Sequence, residues 1–327
     1  MNAVAGAAPA DIDAAVAALR AGELVAFPTE TVYGLGADAR NPAALRKIYA
    51  LKGRPSTHPL ILHLAAAAQL PQWVATVPPI ATVLAERFWP GPLTLVLPRA
   101  PGVPDELTGG QDSVAVRVPS HPVAQALLTA FGGGIAAPSA NRYGRVSPTH
   151  AEHVREEFPQ GLLVLEGGPC AVGLESTIVS LLDASPRVLR PGAITRAQLE
   201  QFIGPVSSAD AAGAVPRVPG STVQHYAPQT PVSLLAPADL ARALADAVAR
   251  GERIAVMSRG ESAVATTPTL HWQRMPDAAA DYGQQLYATL RRLDKLGVSR
   301  ILVERVPAGI EWDAIRDRLN RAAATFT

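Results

Sequence analysis

The first two hundred positions of the chain combine two hydrophobic patterns, short apolar runs and apolar residues spaced three or four apart. The first pattern predicts buried strands, and the second predicts helices packed against them. Strands are predicted at 24–28, 60–64, 93–97, 114–118, 135–137, 162–165, 177–182 and 188–190. Because several of these strands follow one another directly, we expect an α/β fold with a twisted, open, mixed sheet.

Helices are expected between these strands, at 11–21, 43–51, 80–88 and 123–131. Two further helices are predicted from capping boxes, in which a hydroxyl residue stands three positions before Glu or Gln. The two boxes are Thr149 with Glu152 and Thr195 with Gln198.

The pattern is interrupted between positions 207 and 231, a stretch rich in Ala, Gly, Ser and Pro that predicts a linker. The sequence HYAP, with its His and Tyr, is unusual within that linker. Beyond it, strands are predicted at 232–235, 253–258 and 300–303, and helices at 238–250, 282–296 and 312–324. This order predicts a first domain over 1–206 and a smaller, Rossmann-like three-layer domain over 232–327.

Composition and charge exclude several classes of protein. Hydrophobic residues make up 48% of the 327 positions, which excludes a largely disordered chain. The formal net charge is +1, too small for a general nucleic-acid or membrane-surface binder. The single cysteine, Cys170, excludes an intramolecular disulfide and a cysteine-based zinc site, and it indicates a reducing compartment such as the cytoplasm. Prolines interrupt the longest uncharged run, 57–85, so no membrane span is expected.

Candidate chemistry begins with two polar segments. In FPTETVYGLGADA, residues 27–39, two threonines and a glutamate follow a predicted strand, where open α/β sheets bind ligands. A structural turn would have the same composition, so both interpretations stay open. Lys52 and Arg54 lie at a predicted helix end, where they either hold a phosphate chain or cap the helix.

Two further candidates lie within or at the end of predicted strands. Arg117 alternates with valines in SVAVRVP. Because an unpaired buried charge is costly, this arginine must find a carboxylate or a ligand anion. His63 ends an apolar strand, where a satisfied core histidine is the commoner finding.

Short polar side chains follow later strands. Ser139 and Asn141 alternate, so both can point the same way and hydrogen-bond to phosphate or carboxylate oxygens. Turn chemistry is the alternative. In GLESTIVSLLD and LRPG, Ser176 and Arg190 lie near the ends of late strands. Each signal is weak alone, but together they indicate one ligand site.

These segments resemble the YrdC-like threonylcarbamoyl-adenylate synthases, in the long form with an extra C-terminal domain. The matching stretches are FPTETVYGLG, KGRP, HPLILH, FWPGPLTLVL, VAVRVP, APSANRYGRVSPT, ESTIVS, LRPG and HYAP. The resemblance implies a YrdC-like first domain that makes L-threonylcarbamoyl-AMP from L-threonine, bicarbonate and ATP and releases pyrophosphate. The product would serve the threonylcarbamoyladenosine modification of tRNA.

The resemblance also assigns roles to individual residues. Lys52 and Arg54 match the catalytic basic pair, which contacts the nucleotide phosphates together with a Ser-x-Asn signature. The residues that match threonine-binding positions are Thr31, His63, Arg117, Ser139 and Ser176. Those that match nucleotide-binding positions are Lys52, Arg54, His58, Ser113, Asn141, Thr149, Arg190 and Tyr226, with Ser147 nearby. Tyr226, in the linker, implies a lid that excludes water from a labile adenylate.

The same resemblance implies Mg²⁺ bound with ATP and no metal held by the protein itself. It also implies a product passed to a tRNA threonylcarbamoyl transferase, weak RNA binding and no membrane. The sequence departs from the family at His58, where Asn is usual, and in PGSTVQHYAP, which lacks a basic residue just before the His. A non-catalytic module that binds double-stranded RNA is the alternative function. A carbamoyl-transfer enzyme of hydrogenase maturation is disfavoured by the single cysteine.

Overall fold

A computed structural model of the chain describes residues 8–208, 215–220, 226–261 and 269–324. The chain divides into two units. The first comprises Met1–Tyr143 and Ser147–Ser221, and the second comprises Gly144–Val146 and Thr222–Thr327. The predicted linker, 207–231, extends across this division, and its residues 209–214 and 221–225 lie outside the described part. Its boundaries stay predictions.

The helices of the first unit are α1 (Pro9–Arg20), α2 (Pro42–Lys52), α3 (Pro79–Phe88), α4 (Asp105–Thr108), α5 (Pro122–Phe131), α6 (Ala151–Glu157) and α7 (Arg196–Ile203), with a 3-10 helix at Ala67–Gln72. Its strands are β1 (Val25–Phe27), β2 (Gly34–Asp38), β3 (Ile61–His63), β4 (Leu93–Pro98), β5 (Ser113–Arg117), β6 (Ile135–Ala136), β7 (Leu163–Val164), β8 (Thr177–Ser180), β9 (Arg187–Arg190) and β10 (Ser207–Ser208). Helices α1, α2, α3 and α5 each begin with proline, whose fixed φ and missing N–H suit the first helical position.

These strands form one sheet in the order β10-β9-β8-β4-β5-β3-β6-β2-β1-β7. Strand β5 pairs parallel with β3 and antiparallel with β4, which confirms the mixed sheet. Within β1, Val25 and Phe27 belong to one apolar core and Ala26 to another, as alternation between the two faces of a strand requires. The register of β3 and β5 places His63 beside Arg117.

The second unit contains a separate parallel sheet. Its strands are β11 (Val232–Leu235), β12 (Ile254–Ser258), β13 (Leu270–Arg274) and β14 (Arg300–Glu304), in the order β11-β14-β12-β13. Its helices are α8 (Pro237–Ala249), α9 (Ala279–Asp294) and α10 (Asp313–Ala323), with a 3-10 helix at Ile310–Trp312. The parallel pairing and the helices along the chain agree with the expected smaller Rossmann-like domain.

The hydrophobic pattern misses three of the described strands. Strand β10 has only two residues, Ser207 and Ser208, and it lies in the stretch predicted as a linker. Strand β2 carries Gly34 and Gly36, and because glycine lowers strand propensity, its sequence predicts only a polar segment. Strand β13 has the sequence LHWQR and lies at the edge of its sheet. Because an edge strand is partly exposed, it can carry polar residues, and these hide the apolar pattern of a strand.

One of the two predicted capping boxes is wrong. Helix α6 begins at Ala151 after His150, and the hydroxyl of Thr149 is instead 3.2 Å from Nδ1 of His150. The second box is confirmed, since Thr195 Oγ1 accepts a hydrogen bond from the backbone N–H of Gln198 at the start of α7.

Candidate functional site

Helix α2 ends at the turn that carries the predicted basic pair. Asn41 caps the start of the helix by accepting hydrogen bonds from two backbone N–H groups of its first turn. Gly53 ends the helix with a left-handed φ of 63°, a conformation that glycine adopts without steric cost. The chain therefore turns between Lys52 and Arg54, and both side chains are buried.

The Lys52 ammonium connects this turn to the segment that carries Ser139 and Asn141. Its Nζ donates to the backbone carbonyls of Ser139, at 2.5 Å, and of Asn141. The carbonyl of Lys52 accepts in turn from the N–H of Tyr143 at 2.8 Å. Burial, followed by the nearby Arg54 charge, holds the pKa of Lys52 well below its usual range. Lys52 thus joins two predicted site segments, and its ammonium does not cap its own helix.

Arg54, His58 and Tyr143 form a polar aromatic group beside Lys52. Arg54 Nη2 donates to the carbonyl of Pro59 at 2.9 Å, and the guanidinium lies 5.9 Å from the centre of the Tyr143 ring. The Tyr143 hydroxyl is 3.2 Å from Nδ1 of His58, and the two rings meet edge to face at 5.6 Å. Burial and the charge of Arg54 lower the pKa of His58, which favours its neutral ring.

The strand arginine, Arg117, has a carboxylate partner in the interior. Its Nη2 donates to Glu30 Oε1 at 2.5 Å, its Nη1 to Thr31 Oγ1 at 2.8 Å, and its Nε to the carbonyl of Gly91 at 3.2 Å. The side chains of Arg117 and Glu30 are only 4% and 9% exposed, respectively. Of the two partners that its position allows, a carboxylate or a ligand anion, the structure provides the carboxylate.

His63 lies beside Arg117 in the sheet and is fully buried. Its Nδ1 is 3.1 Å from the carbonyl of Ile61, and its ring meets the edge of Phe27 at 6.1 Å. Burial, followed by the charge of Arg117, lowers the pKa of His63 to about 3. The imidazole is therefore neutral near pH 7 and offers a hydrogen bond without a charge.

One stretch of backbone joins the basic turn and the arginine pair. Hydrogen bonds of 2.8 to 2.9 Å connect residues 33–35 to residues 138–140 and to Pro148. Residues 33–35 begin two positions after Thr31, and residues 138–140 carry one of the two carbonyls that Lys52 binds. Backbone hydrogen bonds therefore hold the segment after Thr31 next to the segment that carries Ser139 and Asn141.

Ser176 and Arg190 are also brought together. Arg190 Nη2 donates to the carbonyl and the hydroxyl of Ser176 at 3.0 and 3.1 Å, and its Nη1 donates to the carbonyl of Pro219 at 2.9 Å. The Ser176 hydroxyl is also 2.7 Å from the hydroxyl of Thr94. Ser176, predicted to bind threonine, and Arg190, predicted to bind the nucleotide, are therefore hydrogen-bonded to each other.

The remaining nucleotide candidates of the first unit are buried. Ser113 begins β5, opposite Pro98 of β4, and Thr149 precedes α6. Ser147 donates to Oε1 of Glu175 at 2.6 Å, which places a buried carboxylate in this region.

Tyr226 belongs to the second unit. It has a left-handed φ of 63°, its ring stacks on Tyr287 at 5.7 Å, and the Arg318 guanidinium lies 5.0 Å from its centre. Its predicted nucleotide contact stays a prediction, and the preceding His225 lies outside the described residues.

Four residues near the candidates were not assigned from the sequence, and they are Glu30, Thr94, Tyr143 and Glu175. Glu30 has two signals in the sequence, because it lies in the polar segment 27–39 and because Arg117 requires a carboxylate or an anion. Within the described ranges, no group of three or more His, Cys, Asp or Glu side chains is arranged to hold a metal ion. In that same part of the chain, no helix is both long and apolar enough to cross a membrane.

The buried basic turn and the buried arginine–carboxylate pair lie in one α/β unit, and backbone hydrogen bonds connect the segments around them. The family described as Telomere recombination (Sua5_yciO_yrdC) matches residues 17–192. The family described as Threonylcarbamoyl-AMP synthase, C-terminal domain, matches residues 194–324. The chain therefore belongs to the Sua5/YciO/YrdC family, in its two-domain form, and it is an enzyme.

Individual relatives are similar over nearly the whole chain. A Bacillus subtilis threonylcarbamoyl-AMP synthase is 40% identical over 317 residues, which cover 94% of this chain and 92% of the relative. A Pyrococcus abyssi threonylcarbamoyl-AMP synthase is 39% identical over 320 residues, with coverages of 93% and 92%. The crystal structure of P. abyssi Sua5 complexed with L-threonine matches with a TM-score of 0.87 at 37% identity, covering 95% of this chain and 94% of that chain.

Proposed function

We propose that the chain converts L-threonine, bicarbonate and ATP into L-threonylcarbamoyl-AMP and pyrophosphate at the site of its first unit. The full-length relatives are threonylcarbamoyl-AMP synthases, and a similar structure holds L-threonine. The observation that carries the residue assignment is the Lys52 ammonium, because it ties the basic turn to the Ser139–Asn141 segment.

The chemistry must bring two anions together. The threonine amine and bicarbonate give a carbamate and water. A carbamate oxygen then attacks the α-phosphorus of ATP, and the bond from that phosphorus to pyrophosphate breaks. Cationic groups near both reactants reduce their repulsion and stabilise the charge on the transferring phosphoryl group. Holding the reactants together supplies much of the remaining acceleration, and no protein nucleophile is required.

Lys52 and Arg54 bind the phosphates in this proposal. The ammonium of Lys52 has three donors, and two of them already hold backbone carbonyls, which leaves one for a phosphate oxygen. Because carbonyls carry no net charge, phosphate is the anion that favours the charged form of this buried lysine. The other proposed nucleotide contacts are His58, Ser113, Asn141, Thr149, Arg190 and Tyr226.

In this proposal, threonine binds at Arg117 and not at the basic turn that carries Lys52 and Arg54. Each terminal nitrogen of Arg117 carries a second hydrogen beyond those given to Glu30 and Thr31, and these can bind the substrate carboxylate. The neutral ring of His63 and the hydroxyls of Thr31, Ser139 and Ser176 are the further proposed contacts.

Several partners belong to the same proposal. Mg²⁺ enters bound to the phosphates of ATP, as part of the substrate. The linker around Tyr226 closes over the nucleotide, and closure would protect the adenylate from water. The product passes to a tRNA threonylcarbamoyl transferase in the cytoplasm, and RNA is bound only weakly.

The test is pyrophosphate release in the presence of ATP, Mg²⁺ and bicarbonate, with and without L-threonine. Lys52→Ala and Arg54→Ala should each lower the threonine-dependent rate by about 100-fold or more, as loss of an electrostatic contact to a reacting group does. Lys47→Ala and Arg46→Ala are matched controls on the same helix, since both side chains form exposed ion pairs. Unchanged turnover in both site variants, or release that does not depend on threonine, would contradict the proposal.

The alternative of a non-catalytic module for double-stranded RNA is not favoured, because relatives across both domains are named as synthases. Salt-sensitive RNA binding without any threonine-dependent turnover would support that alternative.

A further inference from the structure

The threonine site contains a buried carboxylate, Glu30, that the assignments above leave without a role. Its Oε1 accepts from Arg117 Nη2 at 2.5 Å, and its Oε2 accepts from the backbone N–H of Ser120 at 3.0 Å. A carboxylate with both oxygens held by donors is poorly placed to take a proton from a substrate. The same two contacts do fix the carboxylate, and through it the plane of the Arg117 guanidinium.

The hydroxyl groups of Thr29 and Thr31 have a direction that follows from their hydrogen bonds. Thr29 Oγ1 donates its single proton to the carbonyl of Val32 at 2.6 Å. In the 2.8 Å contact between the two hydroxyls, Thr31 is therefore the donor. Arg117 Nη1 also donates to Thr31 Oγ1. Since the proton of Thr31 is already used, its hydroxyl can act toward a ligand only as an acceptor.

We propose that Glu30 and Thr29 are positioning residues for L-threonine, which act through Arg117 and Thr31. Glu30 holds the guanidinium so that its remaining hydrogens meet the substrate carboxylate. Thr29 turns the Thr31 hydroxyl into an acceptor for an N–H or O–H group of the same substrate. Donors for a carboxylate beside an acceptor for an amine complement an amino acid, and the inference rests on the threonine site proposed above.

The buried ion pair also has an electrostatic consequence. Glu30 balances the charge of Arg117 before the amino acid binds, so the interior does not hold an uncompensated guanidinium. The amino acid then adds a carboxylate and an amine to a nearly neutral pair. This site should accordingly bind zwitterionic amino acids and exclude a dianion of similar size.

The test compares Glu30→Gln and Thr29→Val in the full-length protein. Glu30→Gln keeps the side-chain shape but removes the charge, so the KM for threonine and its Kd by calorimetry without ATP should rise about tenfold or more, as for loss of a charge-assisted hydrogen bond. Thr29→Val keeps the ion pair and should raise the same two constants about fivefold. In both variants the KM for ATP should change less than about twofold. Glu106→Gln, which changes the exposed partner of Arg46, is the matched control and should leave all three constants unchanged.

Three outcomes would overturn the inference. One is an unchanged threonine Kd in a folded Glu30→Gln protein. The second is an equal rise of the KM for threonine and for ATP together with a lower melting temperature, which indicates a purely structural role. If Glu30→Gln does not fold, Thr29→Val becomes the test. The third outcome that would overturn the inference is then an unchanged threonine Kd in Thr29→Val. Failure of the proposed function is distinct, because the wild-type protein would then release no threonine-dependent pyrophosphate.

Discussion

Replacing Gly192 with alanine tests how the LRPG segment supports the site. A β-carbon at this position would lie 2.3 Å from the backbone nitrogen of Thr177, 2.6 Å from the carbonyl carbon of Ser176 and 2.7 Å from the carbonyl oxygen of Glu175. These are backbone atoms, which cannot rotate away as a side chain does. One of the two segments must therefore move by about 1 Å to restore an ordinary van der Waals separation.

The displacement has two measurable effects. Overpacking of a buried position lowers the free energy of unfolding by about 1–3 kcal/mol. In a domain of this size each kcal/mol corresponds to a melting temperature lower by about 2–4 °C. The same movement shifts Ser176 relative to Arg190 and Thr94, which hold its carbonyl and hydroxyl. A shift of about 1 Å at a substrate-positioning group lowers turnover by about 100-fold.

The assay combines threonine-dependent pyrophosphate release with thermal unfolding followed by circular dichroism. Gly260→Ala is the control, because its β-carbon would meet only the Ser258 hydroxyl at 3.5 Å, an ordinary contact. If Gly192→Ala melts and turns over like the wild type, the two segments are not as close as described. If stability falls and turnover does not, Gly192 does not act on the site through Ser176.

Three further predictions concern the same unit. Arg190→Lys removes the planar fork that holds Ser176, so the KM values for threonine and ATP should rise together in steady-state kinetics. His63, whose pKa is lowered to about 3, stays neutral in the folded state while the unfolded chain takes up a proton below about pH 6.5. The wild type should therefore lose more stability than His63→Gln between about pH 7 and pH 5 in urea titrations. A chain ending at Pro205 should melt below one ending at Ser221 and have reduced activity, because Val218 packs in an apolar cluster of the first unit.

Arg117 shows how much of the site could be predicted from sequence. An arginine among apolar strand residues required an anionic partner, and the structure provides Glu30. The identity of that partner could not be predicted, because 87 positions separate the two residues and only the folded sheet brings the segment after β1 to Arg117. Local chemistry thus predicted the kind of contact, and only the fold determined which carboxylate makes it.

Lys52 shows the limit of local reasoning. At a helix end, a lysine that caps its own helix and a lysine that binds phosphate have the same sequence environment. The two carbonyls that the Lys52 ammonium binds in place of its own helix end lie 87 and 89 positions away, at Ser139 and Asn141. The fold class was more accessible, because the apolar pattern already separated strands from helices. Among the described strands it missed the glycine-bearing β2, the two-residue β10 and the edge strand β13.

The two halves of the proposed site differ in how their charges are balanced, and this difference would suit the proposed ligands. On the proposed phosphate side, the ammonium of Lys52 donates to two carbonyls, which use two of its three hydrogens but do not cancel its charge. A triphosphate supplies the missing negative charge, so its binding and the protonation of Lys52 should favour each other. On the threonine side, Arg117 is already paired with Glu30, so little net charge is available to attract a second polyanion. In the proposed function, ATP bound in the wrong half would meet a neutral pair, and this would direct the nucleotide to Lys52 and the amino acid to Arg117.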